Sequence, residues 1–410
     1  MKEIAGVPVA TIAQKFGTPT YVYDRAMIER RIHDLAGFPK IRFAQKANSN
    51  IAILALMRKH GVVVDATTIG EVYRAQKAGY SPSDVVYTSD IFDRPTLDFV
   101  RDNPVGINAG SSDMIQQLGT VSPGRKVTLR INPGFGHGHS QKTNTGGEGS
   151  KHGIWHEELP RCLELARESN IKIAGIHMHI GSGTDFEHLS QVCSSMERAA
   201  LLAREHLEVI SAGGGLPTPY RPDDKPLDVA RYTQLWLATQ KKISQTLGRP
   251  IELEVEPGRY LVAESGYLVA EIRAIKHQGS KTYYVLNAGF NNLARPIMYG
   301  SYHPISISPA DGRAMPENCD AAVAGPLCES GDIFTQAEGG YVETRSLPAA
   351  KVGDYLTLHC AGAYGFAMSS NYNSMTYAAE VLVSHREAIL IRHRQPIEDL
   401  IRGEVVPVLA

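Results

Sequence analysis

The stretch that decides the fold is IRFAQKANSNIAILALMRKHGVVVDAT, residues 41–67. Its two ends, Ile41–Lys46 and Val62–Thr67, are short apolar runs that finish in polar residues, as β-strands do. Between them, the apolar residues of Ile51–His60 recur every three or four positions, which is the period of an amphipathic helix. A strand, a helix and a second strand in this order predict parallel pairing of the strands through a helical crossover.

The same alternation continues through the first two-thirds of the chain. Six further apolar runs are Val85–Ser89, Val105–Ala109, Lys126–Asn132, Ile173–Ile180, Leu207–Gly213 and Ile251–Glu256. The helices predicted between runs include Gly70–Ala78, Glu157–Glu168, Asp185–Glu205 and Val229–Leu247. Eight strand–helix units within about 230 residues predict a closed, TIM-like (β/α)8 barrel. An open doubly wound sheet is the competing interpretation, and it is weakened because no GxGxxG motif follows the first strand.

The pattern changes after Ser265. Strands without helices between them are predicted at Tyr267–Ile275, Thr282–Leu286, Val342–Thr344, Tyr355–His359, Ala378–Val383 and Glu387–Arg392. Such a run predicts an antiparallel β-sandwich or barrel. Pro19–Tyr23 is also strand-like and fits either domain. We therefore expect an α/β-plus-β chain, with the barrel over residues 25–264 and a β domain formed by residues 1–24 and 265–410.

The composition excludes several classes of function. The 410 residues carry 42 Lys and Arg against 43 Asp and Glu, so no excess of positive charge is available to bind nucleic acid or an anionic membrane. An apolar fraction of 43% is that of a globular protein rather than a disordered one. We find no apolar stretch of membrane-spanning length and no secretory signal. Five widely spaced cysteines without a CxxC pair favour a cytoplasmic protein with reduced thiols and no structural metal.

The candidate chemistry lies at the predicted carboxyl ends of the barrel strands, where the active sites of such barrels form. Lys46 ends the first strand, and it is either a solvated charge or a lysine placed to form a Schiff base. His177 and His179 share one face of the sixth strand, and they are metal ligands, core histidines or a flat ring for an aromatic cofactor. The long loop Asn132–Gly153 lacks apolar periodicity, which is typical of binding loops.

The last two barrel strands end in further candidates. Gly213, Gly214 and Gly215 follow the seventh strand and let backbone N–H groups approach an anion, although a plain tight turn is the alternative. Glu256 ends the eighth strand, where a carboxylate could keep a heteroaromatic nitrogen protonated. Arg259 offers a fork for a substrate carboxylate, unless it only forms a surface pair with the glutamate.

The predicted β domain adds polar loops to this set. Residues 328–332, CESGD, and residues 362–365, GAYG, read as loops, and Arg295 supplies a second guanidinium four residues before Tyr299. A Schiff-base lysine, an imidazole, a phosphate cradle, a carboxylate for a ring nitrogen and two arginines together fit pyridoxal phosphate acting on an amino acid.

Six motifs, in chain order, resemble those of fold-type III pyridoxal-phosphate decarboxylases. They are FAQKAN, HMHIGSG, SAGGGL, EPGRYLVAESG, GPLCESGD and GAYGFAMSSNYN. The resemblance extends nearly from end to end, and it implies the alanine-racemase-like arrangement of a barrel followed by a β domain. It also implies decarboxylation of meso-diaminopimelate at its D centre to L-lysine and CO2. The alternatives are a decarboxylase of D-lysine, D-ornithine or another basic amino acid, a racemase, and a non-catalytic pyridoxal-phosphate-binding protein.

The resemblance also implies roles for individual residues. The cofactor-binding residues would be Lys46 through its Schiff base, His179 against the ring, Glu256 at the ring nitrogen, and Ser182, Gly214, Gly215, Gly258, Arg259 and Tyr364 around the rest. The substrate-binding residues would be Arg259, Arg295, Tyr299, Glu329 and Tyr364. Cys328 would donate a proton, and because this residue reaches the opposite subunit's site in the family, a homodimer is implied. Gln45 and His152 stand where the family more often has an apolar residue and a phenylalanine.

Overall fold

The structure is a computed structural model, and it describes residues 2–136, 146–179 and 185–407. It divides into two compact units. The barrel unit comprises Glu29–Thr218 and Lys225–Leu261, and the β unit comprises Met1–Ile28, Pro219–Asp224 and Val262–Ala410. The domain boundaries expected at 24/25 and 264/265 stay a prediction.

Strands and helices alternate along most of the barrel unit, whereas strands predominate after residue 265. The strands are β1 (Glu3–Ile4), β2 (Val7–Pro8), β3 (Thr20–Asp24), β4 (Lys40–Ala44), β5 (Val63–Ala66), β6 (Val85–Ser89), β7 (Gly106–Ala109), β8 (Lys126–Asn132), β9 (Ile154–Trp155), β10 (Lys172–His177), β11 (Val209–Ser211), β12 (Glu252–Val255), β13 (Gly266–Gln278), β14 (Lys281–Leu286), β15 (Ile305–Ser308), β16 (Asn318–Ala324), β17 (Arg345–Pro348), β18 (Tyr355–Leu358), β19 (Ala379–Ser384) and β20 (Glu387–Arg392). The α-helices are α1 (Val9–Phe16), α2 (Arg25–Asp34), α3 (Ile51–Lys59), α4 (Ile69–Lys77), α5 (Arg94–Asp102), α6 (Ser112–Val121), α7 (Leu159–Glu168), α8 (Phe186–Leu202), α9 (Val229–Leu247), α10 (Arg259–Val262) and α11 (Arg295–Tyr299). Short 3-10 helices include Gln45–Ala47, Pro82–Asp84, His156–Glu158, Phe366–Met368, Tyr372–Ser374 and Ile397–Ile401.

The barrel unit contains a closed ring of parallel strands. In the described residues the ring runs β4, β5, β6, β7, β8, β10, β11 and β12, and β12 pairs with β4 to close it. Each of the eight predicted apolar runs overlaps one of these strands. The TIM-like barrel is therefore confirmed, and the open doubly wound sheet is excluded. The short strand β9 pairs with β8 outside the ring.

Capping side chains fix the helices that leave the carboxyl ends of the strands. The Asn50 side chain accepts the N–H of Ala52 and begins α3. The Thr68 side chain accepts the N–H of Glu71 at the start of α4, and the Glu71 carboxylate accepts the N–H of Thr67 at 2.7 Å. Such caps satisfy N–H groups that have no partner within the helix. These caps therefore fix where two of the loops at this end of the barrel stop and the helices begin.

The β unit is built on a mostly antiparallel sheet. Its main path is β17, β16, β14, β13, β3, β19 and β20, and β18 pairs with both β13 and β15. Two pairs, β14 with β16 and β19 with β3, are parallel, so the antiparallel expectation holds for most pairs but not for these. The strand-like stretch Pro19–Tyr23 forms β3 and belongs to this unit. Val22, Val269 and Val381 from three neighbouring strands are fully buried in its core.

Some strands of the β unit differ from the expectation. Val342–Thr344 is not a strand, because Val342 makes only an isolated bridge to Gln336 and β17 begins later, at Arg345. Strands β15 and β16 were not predicted. The sequence of β16, NCDAAVA, is rich in residues of low strand propensity, and its pairing with β14 decides its conformation.

The described residues also bear on membrane, redox and metal chemistry. Within these ranges no helix is long and apolar enough to cross a membrane. All five cysteines are described, and none of them forms a disulfide. No group of three or more His, Cys, Asp or Glu side chains in the described parts of the chain could bind a metal ion. The described residues thus offer no ligand set that would support the metal interpretation of His177 and His179.

Candidate active site

A cavity of about 340 Å³ opens at the carboxyl ends of the barrel strands. Its charged and imidazole-bearing lining includes Lys46, Asp65, Arg130, His177, His179 and Glu256. The structure therefore brings together in the barrel unit the lysine, the two histidines and the carboxylate that the sequence singled out. Cavities at this end of a barrel are the usual place of its chemistry.

Glu256 is a buried carboxylate that stays ionised. One of its oxygens lies 2.7 Å from Nε2 of His177, and the other accepts the hydroxyl of Ser211 at 3.1 Å. Burial alone would raise the pKa of Glu256, but His177, the positive charge of Arg42 and the Ser211 hydrogen bond outweigh it and lower the pKa to about 2. A fixed negative charge therefore stands at the end of the eighth barrel strand.

A second buried carboxylate lies two residues earlier on the same strand. Glu254 accepts a hydrogen bond from Nη2 of Arg42 at 2.9 Å, and both side chains are more than nine-tenths buried. Arg42 also donates to the backbone carbonyl of Val64 at 3.1 Å. The charges of Arg42 and Glu254 therefore compensate each other, as the charges of a buried ion pair must.

The imidazole of His179 is held in its neutral form. The N–H of Gly214 donates to Nδ1 of His179 at 3.0 Å, so this nitrogen carries no proton. Burial and the positive charges of Arg130 and Lys46 lower the pKa of His179 well below its usual value. A neutral flat ring of this kind is able to lie against a cationic heteroaromatic ring.

The glycines after β11 bring the backbone close to the cavity residues. Gly213 and Gly215 have φ angles of +61° and +91°, which side chains rarely adopt. A Cβ on Gly214 would lie 2.4 Å from the carbonyl oxygen of Glu256 and 2.9 Å from the His179 ring. Gly258 is also tightly placed, since its Cβ would lie 3.1 Å from the carbonyl oxygen of Ala44. Ser182, predicted beside these glycines, lies outside the described residues.

Replacing Gly214 by alanine is expected to weaken binding of pyridoxal phosphate, the cofactor that the sequence resemblance implies, by about tenfold or more. The added methyl group must displace backbone, and overpacking of this kind costs about 1–3 kcal/mol. The dissociation constant is measured by titrating the apoprotein with pyridoxal phosphate and following the absorbance. Gly70→Ala is the matched control, because its Cβ would meet nothing closer than 3.7 Å. Unchanged affinity in the Gly214 variant would contradict the role of these glycines.

Four charged residues of the cavity, Asp65, Asp90, Arg130 and Lys151, were not predicted from the sequence. Asp65 lies on β5 and is 6% exposed, and burial together with the charge of Glu256 raises its pKa to about 7. Arg130 lies on β8, and burial lowers its pKa. The available signal was a charged residue near the end of an otherwise apolar run, as in Val62–Thr67. The same signal marks Lys46 and Glu256.

The end of the long loop Asn132–Gly153 is attached to the barrel by one carboxylate. Asp90 accepts the N–H of Gly153 at 3.1 Å, and its other oxygen lies 3.0 Å from Nδ1 of His152. His152, one of the two departures from the family pattern, therefore lines the cavity. Residues 137–145 of this loop lie outside the described residues.

The remaining candidates of the β unit lie on its loops. Cys328 and Glu329 are exposed, and the N–H of Cys328 donates to the Asn373 side chain at 2.9 Å. The buried Asp332 shapes this loop by accepting the N–H of Leu327 at 2.9 Å. Tyr364 has a φ angle of +58°, a conformation that a bulky residue adopts rarely and often at functional sites.

The three residues predicted to hold the distal end of a substrate lie at helix ends. Arg259 is half-buried at the start of α10 in the barrel unit. Arg295 begins α11 in the β unit and is 4% exposed, and Tyr299 ends the same helix with 37% exposure. Their roles toward a substrate stay a prediction.

The fold and this site define a class of protein. Residues 25–263 match the family model described as the pyridoxal binding domain of pyridoxal-dependent decarboxylases. The chain therefore belongs to the pyridoxal-dependent decarboxylase family.

Diaminopimelate decarboxylases are among its relatives over nearly the full length. The enzyme of that name from Escherichia coli strain K12 is 53% identical over 398 residues, covering 96% of this chain and 95% of that protein. The one from Streptomyces coelicolor is 49% identical over 407 residues, covering 98% of this chain and 92% of that protein. A crystal structure of diaminopimelate decarboxylase superposes with a TM-score of 0.94 at 52% identity, covering 97% of this chain and 96% of that one.

The cofactor of this family is pyridoxal phosphate, and the residues of the cavity fit it. Lys46 supplies an amine at the cavity wall, and Glu256 supplies a buried negative charge. The positive φ angles of Gly213 and Gly215 give this turn a backbone conformation that suits an anion-binding loop. The chemistry of this donor set is therefore that of a pyridoxal-phosphate site.

Proposed function

We propose that this protein decarboxylates meso-diaminopimelate at its D centre and releases L-lysine and CO2, the last step of lysine biosynthesis. The observation that carries the proposal is the cavity in which Lys46, the neutral ring of His179 and the ionised Glu256 lie together. The full-length relatives support the choice of substrate. The bound cofactor supplies an electron sink for the bond to the departing carboxylate.

Residues of the chain would bind and orient the cofactor. Lys46 would attach the cofactor through its amine, and Glu256, whose own pKa is low, would hold the proton on the ring nitrogen. His179 would pack on the ring face, and the glycine-rich turn at Gly213, Gly214 and Gly215 would let backbone approach the phosphate. Each of these groups acts from a position that the barrel fixes before a substrate arrives.

The residues of the helix ends and the β unit would select the substrate and return the proton. Arg259, Arg295 and Tyr299 bind the distal amino-acid centre, so that the D centre reaches the cofactor. Cys328 donates a proton to the α-carbon on one face, which fixes the configuration of the product. Glu329 binds the substrate amine, and Tyr364 contacts cofactor and substrate.

The test is CO2 release by the purified protein loaded with pyridoxal phosphate. meso-Diaminopimelate, D-lysine and D-ornithine are compared side by side, and the product is identified by chiral chromatography. We expect turnover of meso-diaminopimelate to L-lysine and at most weak turnover of the other two. Turnover only of a D-amino acid without the second carboxylate would overturn the substrate and retain the cofactor site. No CO2 from any of them would favour a racemase or a carrier of the cofactor.

We further propose that the protein is a cytoplasmic homodimer in which Cys328 completes the partner's site. What supports this is the exposure of Cys328 and its loop, together with exposed apolar side chains in the same unit. Ile297, Met298 and Tyr299 on α11 are 36%, 44% and 37% exposed. Apolar side chains grouped in this way often mark an interface between subunits.

Mixing two inactive variants tests the shared site. Lys46→Ala and Cys328→Ala are each expected to be nearly inactive alone. If each site takes Lys46 from one subunit and Cys328 from the other, the mixed dimer contains one site with both groups. Subunit exchange at equal concentrations is then expected to restore up to about a quarter of wild-type turnover, since half of the dimers are mixed and each has one complete site. No recovery, with exchange verified by native mass spectrometry, would contradict a shared site.

A further inference from the structure

Arg295 lies in an unusual setting for a residue that would bind a substrate. It is 4% exposed, and its guanidinium lies over the ring of Tyr220 at 4.5 Å from the centroid. Its Nη1 donates to Nε2 of His303 at 3.0 Å. All three residues belong to the β unit.

The ring of His303 has a defined tautomer. Its Nδ1 lies 2.8 Å from the backbone carbonyl oxygen of His359, and a carbonyl only accepts, so Nδ1 carries the proton. Nε2 is then the acceptor that the Arg295 N–H group requires. His303 is 1% exposed, which leaves its ring little freedom to turn.

Tyr220 and His303 restrict different motions of the Arg295 guanidinium. The cation–π contact with Tyr220 holds the guanidinium near the ring centroid but leaves the guanidinium free to rotate. The hydrogen bond to His303 removes this rotation, because Nη1 must point at a single atom. Since a guanidinium binds a carboxylate through a planar fork of N–H groups, both restraints are needed to aim that fork.

The residues around His303 are themselves held in place. The rings of His303 and Tyr220 pack in a T-shaped arrangement with centroids 5.5 Å apart, and Nη1 of Arg345 donates to the backbone carbonyl of His303 at 2.6 Å. The segment of Tyr220 is fixed by Asp224, whose carboxylate accepts the N–H of Tyr220 at 2.8 Å. His303 is thus the point at which α11, β17 and this segment meet.

We infer that His303 is a positioning residue that aims Arg295 at the distal carboxylate of the substrate and so selects substrates that have one. The inference rests on the proposed function, because it assigns the distal end of diaminopimelate to Arg295. In this proposal His303 acts only through the guanidinium of Arg295 and does not contact the reacting atoms. No role for it was predicted from the sequence.

The test separates recognition of the distal carboxylate from general damage. His303→Phe keeps a flat ring but removes both hydrogen bonds, and His303→Gln keeps an acceptor and a donor at similar reach. For each variant the kcat and KM for meso-diaminopimelate are measured, with the inhibition constants of L-lysine and cadaverine. L-lysine retains the distal carboxylate, whereas cadaverine lacks it. His277→Phe, on an exposed strand residue, is the matched control.

We expect His303→Phe to raise the KM and the inhibition constant of L-lysine about tenfold or more, with kcat within about twofold. The inhibition constant of cadaverine should not change, and the glutamine variant should resemble the wild type. If the phenylalanine variant does not fold, His303→Asn replaces it, since its shorter side chain cannot span both partners. Unchanged binding of L-lysine in a folded phenylalanine or asparagine variant would overturn the inference. A wild-type protein that does not decarboxylate diaminopimelate would instead overturn the proposed function.

Discussion

Lys46→Ala is expected to lose covalent attachment of pyridoxal phosphate and to decarboxylate at least about 1,000-fold more slowly than the wild type. Losses of this size follow when a group that takes part in the reaction itself is removed. Lys46 is the lysine whose turn, Gln45–Ala47, directly follows β4 and whose amine lines the cavity. Its substitution leaves the buried core intact, because the side chain is exposed.

Covalent attachment is measured separately from turnover. The loaded protein is reduced with borohydride and digested, and the modified peptide is identified by mass spectrometry. Lys172→Ala is the control, because Lys172 begins β10 and so lies at the opposite, amino end of the barrel. The control should keep both the modification at Lys46 and full turnover. A modified peptide that does not contain Lys46 in the wild type would refute the assignment.

Much of the barrel and of its mouth follows from local patterns in the sequence. Val85–Ser89, Lys126–Asn132 and Val229–Leu247 have the bounds that the apolar periodicity predicts. The functional groups at the strand ends could also be predicted. Lys46 and Glu256 end apolar runs at the carboxyl ends of strands, where the active sites of parallel barrels form. Local pattern and global fold agree in these elements, as in most foldable sequences.

The features that the sequence alone does not predict depend on contacts between distant parts of the chain. The hydrogen bond between His303 and Arg295 is local in sequence, but Tyr220 reaches them from a segment some 75 residues away and His359 from one 56 residues away. The strand β16 has weak propensity of its own and exists because β14 pairs with it. The low pKa of Glu256 likewise requires His177 and Arg42, which no spacing rule connects.

Glu256→Gln is expected to lower kcat by about 100- to 1,000-fold, the usual loss on removing one preorganised electrostatic group. Glutamine keeps the shape of the side chain but cannot hold a proton on the ring nitrogen as a charged partner does. Glu254→Gln is the matched control, because it removes the other buried carboxylate of the same strand. Both variants should unfold at lower temperature. Glu254→Gln leaves the buried guanidinium of Arg42 without its partner, at a cost of about 3–5 kcal/mol. Glu256→Gln removes the favourable interactions that lower the pKa of Glu256.

Comparing these two variants separates the electrostatic role of Glu256 from its contribution to stability. Glu254→Gln leaves Arg42 without its carboxylate but keeps the negative charge at the cavity, so turnover should stay within about tenfold of the wild type. The folded-state pKa of Glu256, about 2, lies below the ordinary value of about 4.3. Its ionised form therefore stabilises the fold above that ordinary value, and the contribution is lost as the pH falls toward 2. The difference in melting temperature between wild type and Glu256→Gln should shrink over the same range. Equal loss of turnover in both variants would mean that stability, rather than the charge at the ring nitrogen, accounts for the effect.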